Sequence, residues 1–172
     1  GRKPSIAALG AFLDRHGDTP TGGRARRELH DKLLVEASRE LARGRLDESL
    51  ALVQRARDRL PGAGVDAMEA EVRRARGEEA MASLRMDSAV RELEAALALS
   101  DDSQLRALLG RATLERARRS FLVGKPEAAM RDLQQSERLE PAVRGVCEQL
   151  RQQWTDQLLE QLVGAYEPPD GV

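Results

Sequence analysis

The stretch ARGRLDESLALVQRARDRLP runs from Ala42 to Pro61 and contains a glycine turn, an apolar-periodic segment and a terminal proline. Leu50 and Val53 lie three residues apart in it, a spacing that places side chains on one face of an α-helix. Proline cannot continue a helix, because its ring clashes with the preceding turn and it lacks a backbone N–H. The stretch therefore predicts a helix bounded by Gly44 and Pro61.

The same pattern returns along the chain at intervals of 40 residues. Gly124 follows Gly44 after two intervals, and Pro141 follows Pro61. Self-similarity at a fixed period indicates a repeat architecture. The other equivalent positions are mostly small or apolar: Asp47, Asp87 and Glu127; Ala37, Gly77 and Ala117; Leu41, Met81 and Phe121; Ser49, Ala89 and Ala129; Val53, Leu93 and Leu133; Ala56, Ala96 and Ser136.

The sequence of each 40-residue unit predicts two antiparallel helices joined by a tight turn. Glycine takes the left-handed conformation that ends a helix, and the turns are expected at Gly44, Leu84 and Gly124. Asp47 and Asp87 are expected to accept hydrogen bonds from the free amides of the second helices; in the third unit, Pro126 suits the first helical turn. The predicted helices span about 5–15, 25–43, 47–60, 66–84, 87–99, 103–122, 126–139 and 142–163.

Small side chains are predicted where the two helices of a pair cross. Ala37, Gly77 and Ala117 would face the second helix, which presents its own small residues there. A bulky side chain would overpack the crossing at a cost of about 1–3 kcal/mol.

These small residues, the turn glycines and the terminal prolines resemble the tetratricopeptide repeat (TPR) family over about residues 30–141. The resemblance implies an all-α solenoid of three helical hairpins (24–141), preceded by a short helix and linker (1–23) and followed by a capping helix and tail (142–172). Two features differ from the family. The period is 40 where TPR units have about 34 residues, and it overlaps HEAT-type repeats. The large apolar residue expected late in each first helix is displaced by one place, behind Glu40, Ala80 and Ser120.

The two ends of the chain are predicted to flank the repeats. Residues 5–15 form a short amphipathic helix, which docks on the first repeat or packs against a domain outside this sequence. Residues 16–23 are predicted to be a turn-rich linker. The helix over 142–163 would cap the open end of the repeats, and the last residues are expected to be coil.

Composition excludes several classes of protein. The 28 basic and 29 acidic side chains nearly cancel, a pattern typical of solvated helix faces and not of nucleic-acid binding. No stretch has the length and apolarity of a membrane span. The chain begins GRKP without an initiator Met, and arginine and alanine are abundant. We therefore expect a fragment of a longer bacterial protein, cytoplasmic, or periplasmic if the full chain carries a signal or anchor upstream.

No catalytic constellation is found in the sequence. His16 and His30 have no partner at metal-ligand spacing, and Cys147, the single cysteine, falls on the apolar stripe of the last helix. No glycine-rich phosphate loop follows a strand. We therefore predict a non-enzymatic chain without metal or cofactor.

The resemblance to TPR proteins implies a protein-protein interaction module, an adaptor or scaffold, that binds a peptide or protein on its first helices. Arginine is a frequent anchor at interfaces, so Arg74, Arg111 and Arg118 are the favoured contacts. A regulatory or sensor domain of a larger enzyme or transcription regulator is the alternative. Trp154, Leu158 and Leu162 could form a homodimer. The predicted partner-binding residues are Leu34, Ser38, Glu71, Arg74, Glu78, Arg111, Leu114 and Arg118.

Overall fold

The computed structural model describes residues 4–17 and 19–165, and these residues are almost entirely helical. They contain eight α-helices, a turn of 3-10 helix over Pro141–Val143 and no strand, so the predicted all-α class is confirmed. The predicted coil over 166–172 lies outside the described residues. The α-helices are α1 (Ile6–His16), α2 (Pro20–Ala42), α3 (Leu46–Arg59), α4 (Ala63–Ala82), α5 (Met86–Leu99), α6 (Ser103–Leu122), α7 (Pro126–Leu139) and α8 (Arg144–Ala165).

The helix boundaries repeat every 40 residues. The helices α3, α5 and α7 begin at Leu46, Met86 and Pro126, and each contains 14 residues. The preceding helices α4 and α6 both contain 20 residues. Pro126 occupies the first turn of α7, as the sequence predicts. The period read from the sequence is therefore a period of the secondary structure.

The three turns between paired helices share one backbone geometry. Gly44 and Gly124 have φ angles of 74°, and Leu84 has a φ angle of 58°. Each of the three amides donates a hydrogen bond to the carbonyl three residues before it, over 2.9–3.0 Å. The next amide in each turn reaches the carbonyl five residues before it, over 2.8–2.9 Å. The chain therefore ends its first helices in the same way whether the turn residue is glycine or leucine.

The chain forms two compact units, Gly1–Glu79 with Arg91–Asp101, and Ala80–Val90 with Asp102–Val172. In the first unit, α2 packs against both α1 and α3. In the second unit, α7 packs against both α6 and α8. Each unit therefore has a helical hairpin with a flanking helix, and each has its own apolar core.

Small residues lie at the crossings of paired helices. The Ser49 hydroxyl donates a hydrogen bond of 2.8 Å to the Ala37 carbonyl, which joins α3 to α2. In the second unit, Ala117 and Ala129 are fully buried. Only short side chains let two helix backbones approach so closely, because larger ones would clash with the facing helix.

Helix α2 places a charged residue, Glu40, on its inward side. Glu40 is buried, and its carboxylate lies 2.7 Å from both Arg43 and Arg45. Leu41, the next residue, is half-buried against the core of the first unit. The apolar residue displaced by one place therefore packs at the edge of the core, while the buried carboxylate is compensated by two guanidinium groups.

The predicted capping by Asp47 and Asp87 is wrong. The residue before α3 is Arg45, and its side chain makes no capping hydrogen bond. Asp47 lies one residue inside α3, and Asp87 has the same place in α5. Each carboxylate there faces the positive end of the helix dipole, a favourable position that does not require a capping geometry.

Helix α2 begins inside the segment that the sequence predicts to be a linker. The Thr19 hydroxyl accepts a hydrogen bond from the Gly22 amide over 3.0 Å, and Pro20 fits the first turn. A β-carbon on Gly22 would lie only 2.2 Å from the His16 carbonyl oxygen. The helix therefore starts early because Thr19 caps it and Gly22 allows the close approach of α1.

The C-terminal helix α8 covers α7 and α6 in the second unit. Cys147 and Trp154 are buried there, and the Trp154 ring stacks on Phe121 of α6 with centroids 4.4 Å apart. Burial raises the pKa of the Cys147 thiol above its ordinary value, so the neutral thiol behaves as a small apolar side chain.

Candidate protein-interaction groove

An open groove lies on the surface of the second unit. It has a volume of about 660 Å³ and lies between the turn at Leu84, the C-terminal half of α6 and the start of α7. We call it the basic groove. It is lined by Leu84, Arg85, Met86, Asp87, Ser88, Arg116, Arg119, Ser120, Val123, Lys125, Ala128, Arg131 and Asp132.

The turn at Leu84 forms one edge of the basic groove. The Leu84 backbone is left-handed, with a φ angle of 58°, and its side chain is 61% exposed. Met86 follows in the first turn of α5 and is buried. The guanidinium of Arg119 donates a hydrogen bond to the Leu84 carbonyl. This bond fixes the strained turn to α6 within the same unit.

An ion pair between Arg116 and Asp132 forms part of the lining of the basic groove. Arg116 donates two hydrogen bonds to the Asp132 carboxylate, from Nε over 2.9 Å and from a terminal nitrogen over 2.7 Å. Asp132 is 8% exposed. Two parallel hydrogen bonds from guanidinium to carboxylate have fixed geometry. The pair therefore holds α6 against α7 at the depth of the groove.

The remaining charges make the basic groove positive. Its lining has five basic and two acidic side chains, an excess of three positive charges in a chain whose net charge is −1. Arg85, Lys125 and Arg131 are exposed, and among the residues that the structure describes none of these three forms an ion pair. A concave surface with an excess of one sign of charge concentrates the electrostatic potential.

A smaller cavity continues the groove over the start of α7. It has a volume of about 410 Å³ and shares Lys125, Ala128 and Arg131 with the basic groove. Val123 at the end of α6 is 66% exposed. Leu84 and Val123 therefore expose aliphatic side chains on a surface that also carries cations, a composition that suits a protein partner with both apolar and acidic groups.

The predicted partner-binding residues do not line the basic groove. Five of them lie in the first unit: Leu34, Ser38, Glu71, Arg74 and Glu78. Leu34 packs against the core of that unit, while Ser38, Glu71 and Glu78 are exposed. Arg74 Nε donates to Glu78 over 3.0 Å, so this arginine is paired within its own helix.

The three predicted residues in α6 have different environments. Arg111 is exposed, and Arg118 donates to Glu115 over 2.7 Å. Leu114 is buried in the core of the second unit, where it packs against other side chains and does not present a contact surface.

The three residues predicted for self-association also differ in how much of each side chain is exposed. Trp154 is 5% exposed and Leu162 is 69% exposed, while Leu158 is half-buried. Leu159 and Val163 are exposed beside Leu162. The accessible apolar surface of α8 is therefore near its C-terminal end.

Sequence reasoning missed Arg116, Asp132 and Leu84. The period repeats the residue types of the ion pair, because Arg76 and Glu92 precede Arg116 and Asp132 by 40 residues, but it does not show that the two side chains meet. In the first unit Arg76 lies 3.4 Å from Glu92. The signal for Leu84 was a leucine at a position where both equivalent turns have glycine.

In the described ranges 4–17 and 19–165, no group of three or more His, Cys, Asp or Glu side chains is placed to hold a metal ion. None of the helices in these ranges is long and apolar enough to cross a bilayer.

Comparison of the chain with protein-family models, curated proteins and solved structures finds no match. The resemblance to the TPR family therefore stays a prediction.

Proposed function

We propose that this chain is a non-catalytic protein-protein interaction module, an adaptor or scaffold built from TPR-like helical hairpins. The observation that supports the proposal is the basic groove, in which Leu84 and Val123 expose aliphatic side chains beside cations that form no ion pair in the described part of the chain. Arginine and apolar side chains in a concave site are typical of surfaces that bind proteins.

The alternative function is a regulatory or sensor domain of a larger protein that contacts its own neighbouring domain through α1. Leu9 and Leu13, on the apolar face of α1, are buried in the core of the first unit. Because this face already packs within the unit, α1 offers little apolar surface to another domain. The interaction module is therefore the better-supported proposal.

A photo-reactive amino acid placed at Val123 tests the proposal in extracts of the source cells. The matched control is the same amino acid at Val35, which is 52% exposed in the first unit. We expect one protein to be cross-linked from position 123 and not from position 35, and to bind the chain when purified. Equal cross-linking from both positions, or none, contradicts the proposal.

The partner-binding residues predicted from the sequence define a second surface for the same experiment. Charge reversal at Arg111, which is exposed on α6, would weaken binding of the captured protein if that surface is used. Charge reversal at Arg131 would weaken it if the basic groove is used. The two variants therefore distinguish the surfaces within one helical hairpin.

A further inference from the structure

Leu84 is an unusual residue for its backbone conformation. The left-handed region is unfavourable for residues with a β-carbon, and glycine occupies it without this steric cost. Both equivalent turns have glycine, at Gly44 and Gly124. The Leu84 side chain is 61% exposed, so burial does not compensate for the backbone. A left-handed leucine that is not stabilised by burial is the kind of backbone outlier that occurs at binding sites.

The surroundings of Leu84 define what such a role requires. Arg119 holds the Leu84 carbonyl, so the turn presents its side chain at a fixed place. Arg85, Lys125 and Arg131 line the same groove and are exposed. The asymmetry of charge favours carboxylates, and the exposed leucine favours an aliphatic group next to them.

We infer that the basic groove binds an acidic peptide segment, in which an aliphatic side chain contacts Leu84 and Val123 and neighbouring carboxylates pair with Lys125 and Arg131. This inference rests on the proposed function and names the chemistry of the partner. The groove has a volume of about 660 Å³, within the range of about 300–1,000 Å³ for ligand pockets. This size suits a segment of a few residues.

A nucleic acid fits the basic groove less well. Base stacking on single strands uses aromatic side chains, and the groove lining contains none. The apolar contacts of Leu84 and Val123 have no counterpart in a phosphodiester backbone. The peptide is therefore the favoured ligand, and an oligonucleotide serves as a comparison in the test.

Fluorescence anisotropy with the full chain tests the inference. The probe is a labelled peptide of glutamate, aspartate and leucine. One comparison peptide replaces the acids by their amides, another replaces leucine by alanine, and a labelled single-stranded oligonucleotide is the third comparison. We expect the acidic peptide to bind at least about tenfold more tightly than any of them, a difference of ~1.4 kcal/mol.

Two variants place the binding in the basic groove. Leu84→Gly is expected to weaken binding about tenfold without lowering the melting temperature, because glycine suits the left-handed turn. The double variant Lys125→Glu, Arg131→Glu is expected to abolish binding. The control reverses Arg24 and Arg27, which are exposed in the first unit, and should bind as the unaltered chain does.

Three results would overturn the inference. They are equal binding of the amide peptide, unchanged binding by Leu84→Gly, and oligonucleotide binding that is lost in the double variant and exceeds peptide binding. If the peptides fail while the cross-link from position 123 still captures a protein, the acidic ligand is wrong and the interaction module stands. If both fail, the proposed function is wrong as well.

Discussion

Gly77 of α4 lies directly against Leu93 of α5, and a β-carbon built on the glycine would be 2.7 Å from the leucine Cγ. Carbon atoms in proteins do not approach so closely, and Leu93 is fully buried, so its side chain has little room to move. The equivalent residues Ala37 and Ala117 are also fully buried, but each of them carries a β-carbon. Of these three positions, only Gly77, where α4 meets α5, therefore requires glycine.

Gly77→Ala should therefore lower the free energy of unfolding by about 1–3 kcal/mol, the usual cost of overpacking a core. Gly64→Ala is the matched control, because Gly64 lies in the same helix and nothing is found within 4 Å of its added β-carbon. The control should be neutral or stabilising by up to ~1 kcal/mol. Urea unfolding followed by circular dichroism measures both, and equal stabilities would refute the close contact.

The ion pair between Arg116 and Asp132 should contribute more than a surface pair does. Asp132→Ala leaves a partly buried guanidinium without its carboxylate, and we expect a loss of about 2–4 kcal/mol, a value reduced from that of a fully buried pair. Glu115→Ala breaks the exposed pair with Arg118 and should cost at most ~1 kcal/mol. Similar losses for the two variants would show that Asp132 has no special structural role.

Substitutions at the equivalent turn residues Leu84 and Gly124 are expected to change stability in opposite directions. Leu84→Gly relieves a left-handed leucine, worth about 1–2 kcal/mol, and part of this gain is offset by the flexibility of glycine in the unfolded chain. We expect stability to be unchanged or raised by up to ~1 kcal/mol. Gly124→Ala, with a φ of 74° at its position, should lose about 1 kcal/mol. The melting temperatures of the two variants measure these changes. A lower melting temperature for Leu84→Gly would mean that the leucine supports the fold.

Trp154 and Leu162 should respond differently to truncation. Trp154→Ala removes a ring stacked on Phe121 and should cost about 3–5 kcal/mol, whereas Leu162→Ala should change stability by less than ~0.5 kcal/mol because the side chain is exposed. Chemical denaturation followed at 222 nm by circular dichroism measures both changes. A large loss for Leu162→Ala would place that residue in an interface.

Self-association through α8 is tested on the same surface. If Leu158 and Leu162 join two copies, the mass measured by light scattering rises with concentration and the rise disappears in Leu162→Glu. If the unaltered chain stays monomeric at every concentration, the predicted homodimer is ruled out.

The repeat was predictable because its signal is local and recurs. Ala37, Gly77 and Ala117 are small at equal spacing, and the helix boundaries follow the same spacing in the structure. The capping residues were misplaced because an aspartate in the first turn is favourable without being the cap. Asp47 lies two residues after the cap of α3, whereas α2 begins five residues before its predicted start at about residue 25.

The basic groove was not predictable by the same reasoning. Arg116 and Asp132 are 16 residues apart, and only the packing of α6 on α7 brings them together. Leu84 enters the site because its turn lies near Arg119 in the second unit, a contact between residues 35 apart. Periodicity indicates which residues share one helix face, whereas a groove depends on the orientation of several faces.

The burial of Cys147 has a practical consequence for labelling. It is the only cysteine of the chain, it is fully shielded from solvent, and burial raises the pKa of its thiol, so we expect maleimide dyes to reach it only when α8 separates from α7. A cysteine introduced at an exposed position would therefore carry a fluorophore without removal of the native one. The rate at which the native thiol is modified would in turn report how often the C-terminal helix opens spontaneously.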